Sequence, residues 1–230
     1  MQTNSSHPAT GQGNGCSDMK AIIMEPCAIT ARGMRKVLEQ QCAFTGQIIE
    51  VNSLAKLSSV MHIYQPRILI MELCGEGESV LDGLKLITLW QYKWPRCRLV
   101  ICTGMEEPQL LQLLSAAEVR GILLKQEPAN ALAQSVRTVL SGRKGYSFKV
   151  RSILEQAQPC LKPLTLRELD VLCLLFSGKS VTSVAQVLHR DVRTVSTHKR
   201  NVMQKLGFRN DGELFIQGKW LINTDPALSC

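Results

Sequence analysis

A chain of 230 residues is long enough for two ordinary domains, and 45% apolar with 20% charged residues is a composition that buries a sizeable core. No apolar run approaches the roughly 18 residues of a membrane span, and the opening residues lack the basic and apolar regions of a secretory signal. The net charge of +8 is uneven in density: residues 1–150 hold 16 Lys/Arg against 12 Asp/Glu, while the much shorter 151–230 hold 11 against 7, which favours a polyanionic partner for the second part.

Residues 1–18, rich in Gly, Ser, Asn and Thr, read as a disordered tail. From Met19 onward, apolar strands alternate with helical patterns. "KAIIMEP" is a strand ending in Glu25, and "AITARGMRKVLEQQ" is the helix behind it. "IIEV" (48–51) is followed by a helix with Leu54, Leu57 and Val60 on one side. "RILIMEL" ends in Glu72 and precedes the helix "LDGLKLITLWQY". "RLVICTG" carries Thr103 and leads into "PQLLQLLSAAEV". "GILLK" ends in Lys125, and "PANALAQSVRTVLSG" closes the series with a glycine stop. Five strand–helix repeats predict a five-stranded parallel sheet of the flavodoxin-like α/β class over residues 19–141, with helices on both faces. Such sheets bind or react at the carboxyl ends of their strands, so Glu25, Glu72, Thr103 and Lys125 are expected to meet on one rim.

Residues 142–163 lose the alternation and contain two prolines and two glycines. They read as a linker with one short helix. Residues 164–230 read as an all-helical domain. Thr165 followed by Glu168 is a capping-box pair, Ser177-Gly178 ends that helix, a short helix covers Val181 to Leu188, and Gly207 ends a longer one from Val192 to Leu206. Short helix, tight turn, longer helix is a helix-turn-helix. At 100° per residue, Val195, Val202 and Leu206 share one face of the longer helix. Arg193, Ser196, Thr197, Arg200 and Gln204 lie opposite, side chains of the kind that read base edges or bind phosphates.

The nine cysteines stand in no CxxC pair and are odd in number, so neither a disulfide framework nor a zinc site is expected. Several sit inside apolar segments, where free cysteine behaves as a small hydrophobe. The expectation is a reduced, cytoplasmic protein, associated with the nucleoid if it binds DNA, with no membrane contact, no metal, no cofactor and no enzymatic activity.

The pattern "LT-RE--VL-L---G-S" followed by "TV-THK-NVM-KLG", over residues 164–215, is very similar to the DNA-binding domain of the LuxR/NarL/FixJ family of bacterial transcription regulators. The resemblance implies double-stranded DNA as partner, with Ser196, Thr197 and Arg200 reading bases, and Arg193, Thr194, Lys199 and Lys205 contacting phosphates. It also implies a dimer contact through the next helix, about Asp211 to Leu221. "VLHRDVRTVSTHK" and "GFRNDGEL" look particularly like the RcsB branch. Residues 19–140 resemble a response-regulator receiver, in which an acidic pair holds Mg²⁺, an aspartate takes the phosphoryl group, and a Thr/Ser and a Lys bind it. Thr103 and Lys125 fit the last two roles. The acidic pair is reduced to Glu25-Pro26, and the acceptor position holds Glu72.

Loss of one carboxylate weakens a Mg²⁺ site, and glutamate carries its carboxylate one methylene too far for in-line transfer. Two readings of Glu72 stay open: a permanent charge pair with Lys125 where phosphate would stand, or a decayed pocket of structural value only. "AIIMEPCAITARGMRKVL" also looks like the start of auxiliary regulators of the RcsA and BglJ type, and this resemblance implies a heterodimer with an RcsB-like response regulator, with a homodimer as the other expected assembly. The expected function is therefore a sequence-specific DNA-binding regulator with an atypical, unphosphorylated receiver. The alternative is a conventional phosphorylation-switched response regulator.

Overall fold

The computed structural model describes residues 19–157 and 162–222, so the predicted tail at 1–18 lies outside the described residues. The first unit alternates β1 (Ala21–Met24), α1 (Ala28–Gln41), β2 (Ile48–Val51), α2 (Leu54–Tyr64), β3 (Ile68–Met71), α3 (Val80–Lys93), β4 (Arg98–Thr103), α4 (Pro108–Ala116), β5 (Gly121–Leu124) and α5 (Ala129–Leu140). All pairings are parallel, in the order β2-β1-β3-β4-β5, with a further strand, β6 (Gly145–Tyr146), beyond β5.

Strand residues alternate between two cores, which is why the strands read as continuous apolar runs. Ala21, Ile23, Ile68 and Ile70 pack with Met34, Leu38, Leu132 and Val136 of α1 and α5. Ile22, Met24, Leu69 and Met71 face Leu57, Met61, Leu81 and Leu110 of α2, α3 and α4. At Gly83 in α3, a Cβ would lie 2.0 Å from the Leu73 carbonyl oxygen, so only glycine lets this helix settle against the loop after β3.

The sheet has six strands where the alternation predicts five. The sixth, β6 (Gly145–Tyr146), lies in the stretch assigned to a linker and pairs with β5 through Gly121↔Gly145 and Ile122↔Tyr146. Two residues are too few to display a strand period. The Tyr146 hydroxyl donates to the Val119 carbonyl at 2.9 Å, fixing the added strand. The short helix expected there is α6 (Phe148–Gln156), capped by Ser147 and anchored by fully buried Val150.

The second unit comprises α7 (Leu166–Phe176), α8 (Val181–Leu188), α9 (Val192–Leu206), α10 (Asp211–Gln217) and a 3-10 turn, Gly218–Ile222. Its boundaries follow the caps in the sequence. Thr165 and Glu168 form a reciprocal capping box, Ser180 caps α8, Asp191 caps α9, and Gly207 ends α9 at φ +76°. The turn between α8 and α9 puts His189 in the left-handed region at φ +50°, the sharp reversal the motif needs. The unit rests on α3: the apolar cluster continues from Leu84 and Ile87 to Leu169 and Leu172, and Lys85 pairs with Asp170 at 3.2 Å.

Candidate nucleic-acid interface and strand-end pocket

Helix α9 sorts its residues as its periodicity dictates. Val195, Val202 and Leu206 are buried against α7 and α8, while Arg193, Thr194, Thr197, Arg200 and Gln204 are exposed and Ser196 is half-buried. The first turn is fixed by Asp191, whose carboxylate accepts from the Arg193 amide at 2.7 Å. The Thr197 hydroxyl donates to the Arg193 carbonyl at 2.9 Å, leaving its lone pairs outward. No acidic side chain lies on α9 itself, and Arg193 and Arg200 make no ion pair among the described residues. The face is therefore a basic, hydrogen-bonding ridge on a rigid helix.

Two of the seven residues predicted for this interface are engaged elsewhere. Lys199 reaches Asp211 at the start of α10, at 2.7 and 2.9 Å. Lys205 donates to Glu168 at 2.7 Å and to the Pro163 carbonyl at 2.8 Å. Burial works against the Glu168 carboxylate, but the Lys205 ammonium and the Thr165 amide and hydroxyl outweigh it and hold its pKa below the ordinary range. Lys205 is thus a strut between α9 and the α7 cap. Sequence could not separate these lysines from phosphate binders, because their partners stand 12 and 37 residues away.

At the other site, the ladders run one residue past the strands. Glu25 donates its amide to Val51, Glu72 to Met24 and Lys125 to Thr103, each at 2.9 Å, so the side chains at 25, 72 and 125 arrive in register on one rim. There Lys125 Nζ lies 2.7 Å from Glu25 Oε2 and 3.1 Å from Glu72 Oε2, with side chains between 0% and 8% exposed. Glu72 also accepts from its neighbour Leu73 N at 2.7 Å and from Gly104 N at 3.3 Å, and Glu25 accepts from Cys27 N at 3.0 Å. Thr103 is fully buried and its hydroxyl accepts from Met105 N at 3.2 Å.

All four predicted residues converge, but the pairing differs in detail. Glu25, not Glu72 alone, is the closer partner of Lys125. Burial raises the Glu25 pKa against the opposing pull of Lys125. Burial also disfavours the charge on Lys125, yet Glu72 and Glu25 outweigh it and keep the ammonium above its usual pKa. Backbone amides of residues 27, 73 and 104 complete the site, and no sequence signal marks a main-chain donor.

A receiver-like pocket raises the question of Mg²⁺, which takes oxygen ligands in near-octahedral array and keeps several waters. Here both carboxylates already face one buried ammonium and three amides, and Pro26 brings no side-chain oxygen. These residues do not fit the ion.

Comparison with known proteins places the chain. Residues 162–216 match the family described as bacterial regulatory proteins, luxR family. The chain is 29% identical over 204 residues to the transcriptional regulatory protein RcsB of Escherichia coli (strain K12), spanning 85% of this chain and 91% of the relative. It is 30% identical over 155 residues to the transcriptional regulatory protein DesR of Bacillus subtilis (strain 168), spanning 67% of this chain and 74% of DesR. The chain belongs to the luxR family of bacterial regulatory proteins. Among solved structures, RcsB from Salmonella enterica serovar Typhimurium, bound to promoter rprA in the presence of phosphomimetic BeF3-, aligns with a TM-score of 0.63 at 27% identity, over 89% of this chain and 98% of that one. A structure of two RcsB dimers bound to two parallel DNAs aligns with a TM-score of 0.59 at 27% identity, over 89% and 100% of the two chains. The family match falls on the helical unit that carries the basic ridge.

Proposed function

We propose that this luxR-family regulator binds double-stranded DNA as a dimer through α9, and that its strand-end pocket works without phosphoryl transfer. Ser196, Thr197 and Arg200 read base edges, and Arg193 and Thr194 fix the register on phosphates, because these side chains line one exposed face with a backbone already rigidly capped. The helical unit, described from α7 to Ile222, forms the DNA-binding domain expected over residues 164–230. The receiver-like unit, expected over residues 19–141 and extended by β6 to Tyr146, sets dimerisation, either with a second copy or with an RcsB-like response regulator. RcsB seen as dimers on DNA supports the dimeric reading. The work takes place at the nucleoid in the cytoplasm.

The observation that carries the unphosphorylated reading is the buried triad. Lys125 Nζ and Gly104 N, the donors best placed to receive an incoming phosphoryl group, already donate to Glu72 itself. The longer side chain of glutamate brings its own carboxylate to where an acceptor's cargo would sit, and Glu25 takes the remaining face of the ammonium. A fixed charge there holds the rim in one arrangement with no switch to throw. Incubating the protein with a labelled small acyl-phosphate donor and Mg²⁺, alongside an RcsB control, tests this. The expected result is no label on this chain; stoichiometric label at Glu72 refutes it and restores the conventional switched regulator. Restoring Pro26→Asp together with Glu72→Asp is expected to recover measurable labelling.

A further inference from the structure

At the opposite end of the sheet, where strands begin, a cleft of about 430 Å³ opens between the C-terminal ends of α2 and α3. Arg67, Lys93 and Arg96 line it in exposed positions, no Asp or Glu does, and none of the three cations makes an ion pair among the described residues. Helix dipoles explain only part of this charge. His62 and Lys93 stand in the last turns of α2 and α3, where a cation complements the dipole, but Arg67 and Arg96 lie beyond both helices, and the effect fades within one turn.

A second feature points the same way. Trp94 is a wall of the cleft, 8% exposed, and its indole N–H is buried with no acceptor among the described residues. Its neighbour Trp90 differs, donating to the Cys97 carbonyl at 3.3 Å. Buried donors in native proteins are nearly always paired, so an orphan just behind the wall of a cationic cleft marks a donor that an acceptor from outside would satisfy after a small shift of the ring. Gln65, also on the wall, holds a left-handed backbone at φ +46° where glycine is the default, and so keeps an amide side chain at the site.

We propose that this cleft binds a small phosphate-bearing ligand of the nucleotide class. Arg67 and Arg96 meet the phosphate, since guanidinium forks match its oxygens in pairs. A small turn of the Trp94 ring brings its buried indole N–H to a ligand acceptor. The volume falls in the range of small-molecule sites and exceeds what a lone phosphate fills. The walls give a flat ring a surface to lie on: Pro66 and Pro95 are rigid, and His62 and Trp94 pack against each other as a tilted aromatic pair with centroids 5.8 Å apart. A recessed, aromatic-walled cleft differs from the open basic ridge of α9, which suits a polymer backbone.

The test titrates the full-length protein with AMP, GMP and their triphosphates while following tryptophan emission. Inorganic phosphate, adenosine and a mixed-sequence DNA duplex run alongside. The expected result is saturable change with at least one nucleotide, at concentrations at least about tenfold below those for phosphate or adenosine, because both halves of the ligand contribute. Exposed Arg67→Gln with Arg96→Gln lowers that affinity by about tenfold or more, and Trp94→Phe lowers it several-fold, while DNA binding through α9 stays unchanged. Absence of saturation at millimolar nucleotide overturns the proposal, as does unchanged affinity in the double arginine variant. If the arginine variant weakens only duplex binding, the cleft is a DNA-backbone contact and the proposal fails.

Discussion

Replacing Lys125 by methionine keeps most of the stem's volume and removes the one charge that two buried carboxylates share. At an effective dielectric of about 20, contacts of this length are each worth about 5–6 kcal/mol. Desolvating each ion costs several kcal/mol, and the two carboxylates repel, so the intact triad contributes little net stability. Its removal is another matter, since Glu25 and Glu72 stay buried with no cation. A loss of about 3–5 kcal/mol at pH 7 is expected, a fall of on the order of 10 °C in melting temperature for a unit of this size. The sign with pH follows from the shifts. Lys125 has a raised folded pKa, so its contribution is complete below the unfolded value of about 10.4 and fades as pH rises through the folded value. Glu25 is also raised, so its ionised form burdens the fold, and the burden lifts as pH falls through its folded value. The variant's deficit should therefore shrink as pH falls from 7 toward the acid side, and Lys125→Met with Glu25→Gln and Glu72→Gln should recover much of it. Thermal melts followed by circular dichroism at several pH values read this out. A loss under about 1 kcal/mol at pH 7, unchanged by acid, would refute the reasoning, since that is the worth of a solvent-screened pair.

Other outcomes follow from the same structure. Glu168→Gln should cost the helical unit about 1.5–3 kcal/mol near neutrality. Because the Glu168 pKa is lowered in the fold, that difference is full above its unfolded value of about 4.3 and vanishes as pH falls through the folded value, which acid melts of wild type and variant can follow. Arg200→Ala should cost about 1–3 kcal/mol of DNA affinity and relax preference at one base position, whereas Arg193→Ala should weaken all sequences alike and lower the salt slope by about one; anisotropy titrations at several salt concentrations separate the two. Lys205→Ala should lower melting temperature while leaving the salt slope unchanged. Gly83→Ala should destabilise the first unit by about 1–3 kcal/mol, because the new methyl meets a backbone carbonyl at 2.0 Å, as denaturant unfolding can measure.

Much of this was legible in the chain because local rules agree with the tertiary outcome. Helix α1 spans the residues of "AITARGMRKVLEQQ", and the Thr165–Glu168 box and Gly207 stop bound α7 and α9 as capping chemistry requires. The four rim residues meet because a parallel ladder places strand ends side by side. Features that depend on partners far along the chain stayed hidden. Gly145–Tyr146 shows no alternation, and only the edge of β5 makes it a strand. Lys199, Lys205 and Arg200 look alike as basic residues on one helix, yet two answer to distant carboxylates. The ordering of Glu25 ahead of Glu72 around Lys125 is a difference of 0.4 Å that no spacing rule contains.

The central claim is a DNA-binding regulator whose pocket needs no phosphoryl group. Footprinting with purified full-length protein, alone and with an RcsB-like regulator, with and without an acyl-phosphate donor, tests it most directly. The account predicts a defined footprint whose affinity is unchanged by the donor when this chain is alone, and lost with Thr197→Ala and Arg200→Ala. A footprint that strengthens tenfold or more only when the donor labels this chain would contradict it.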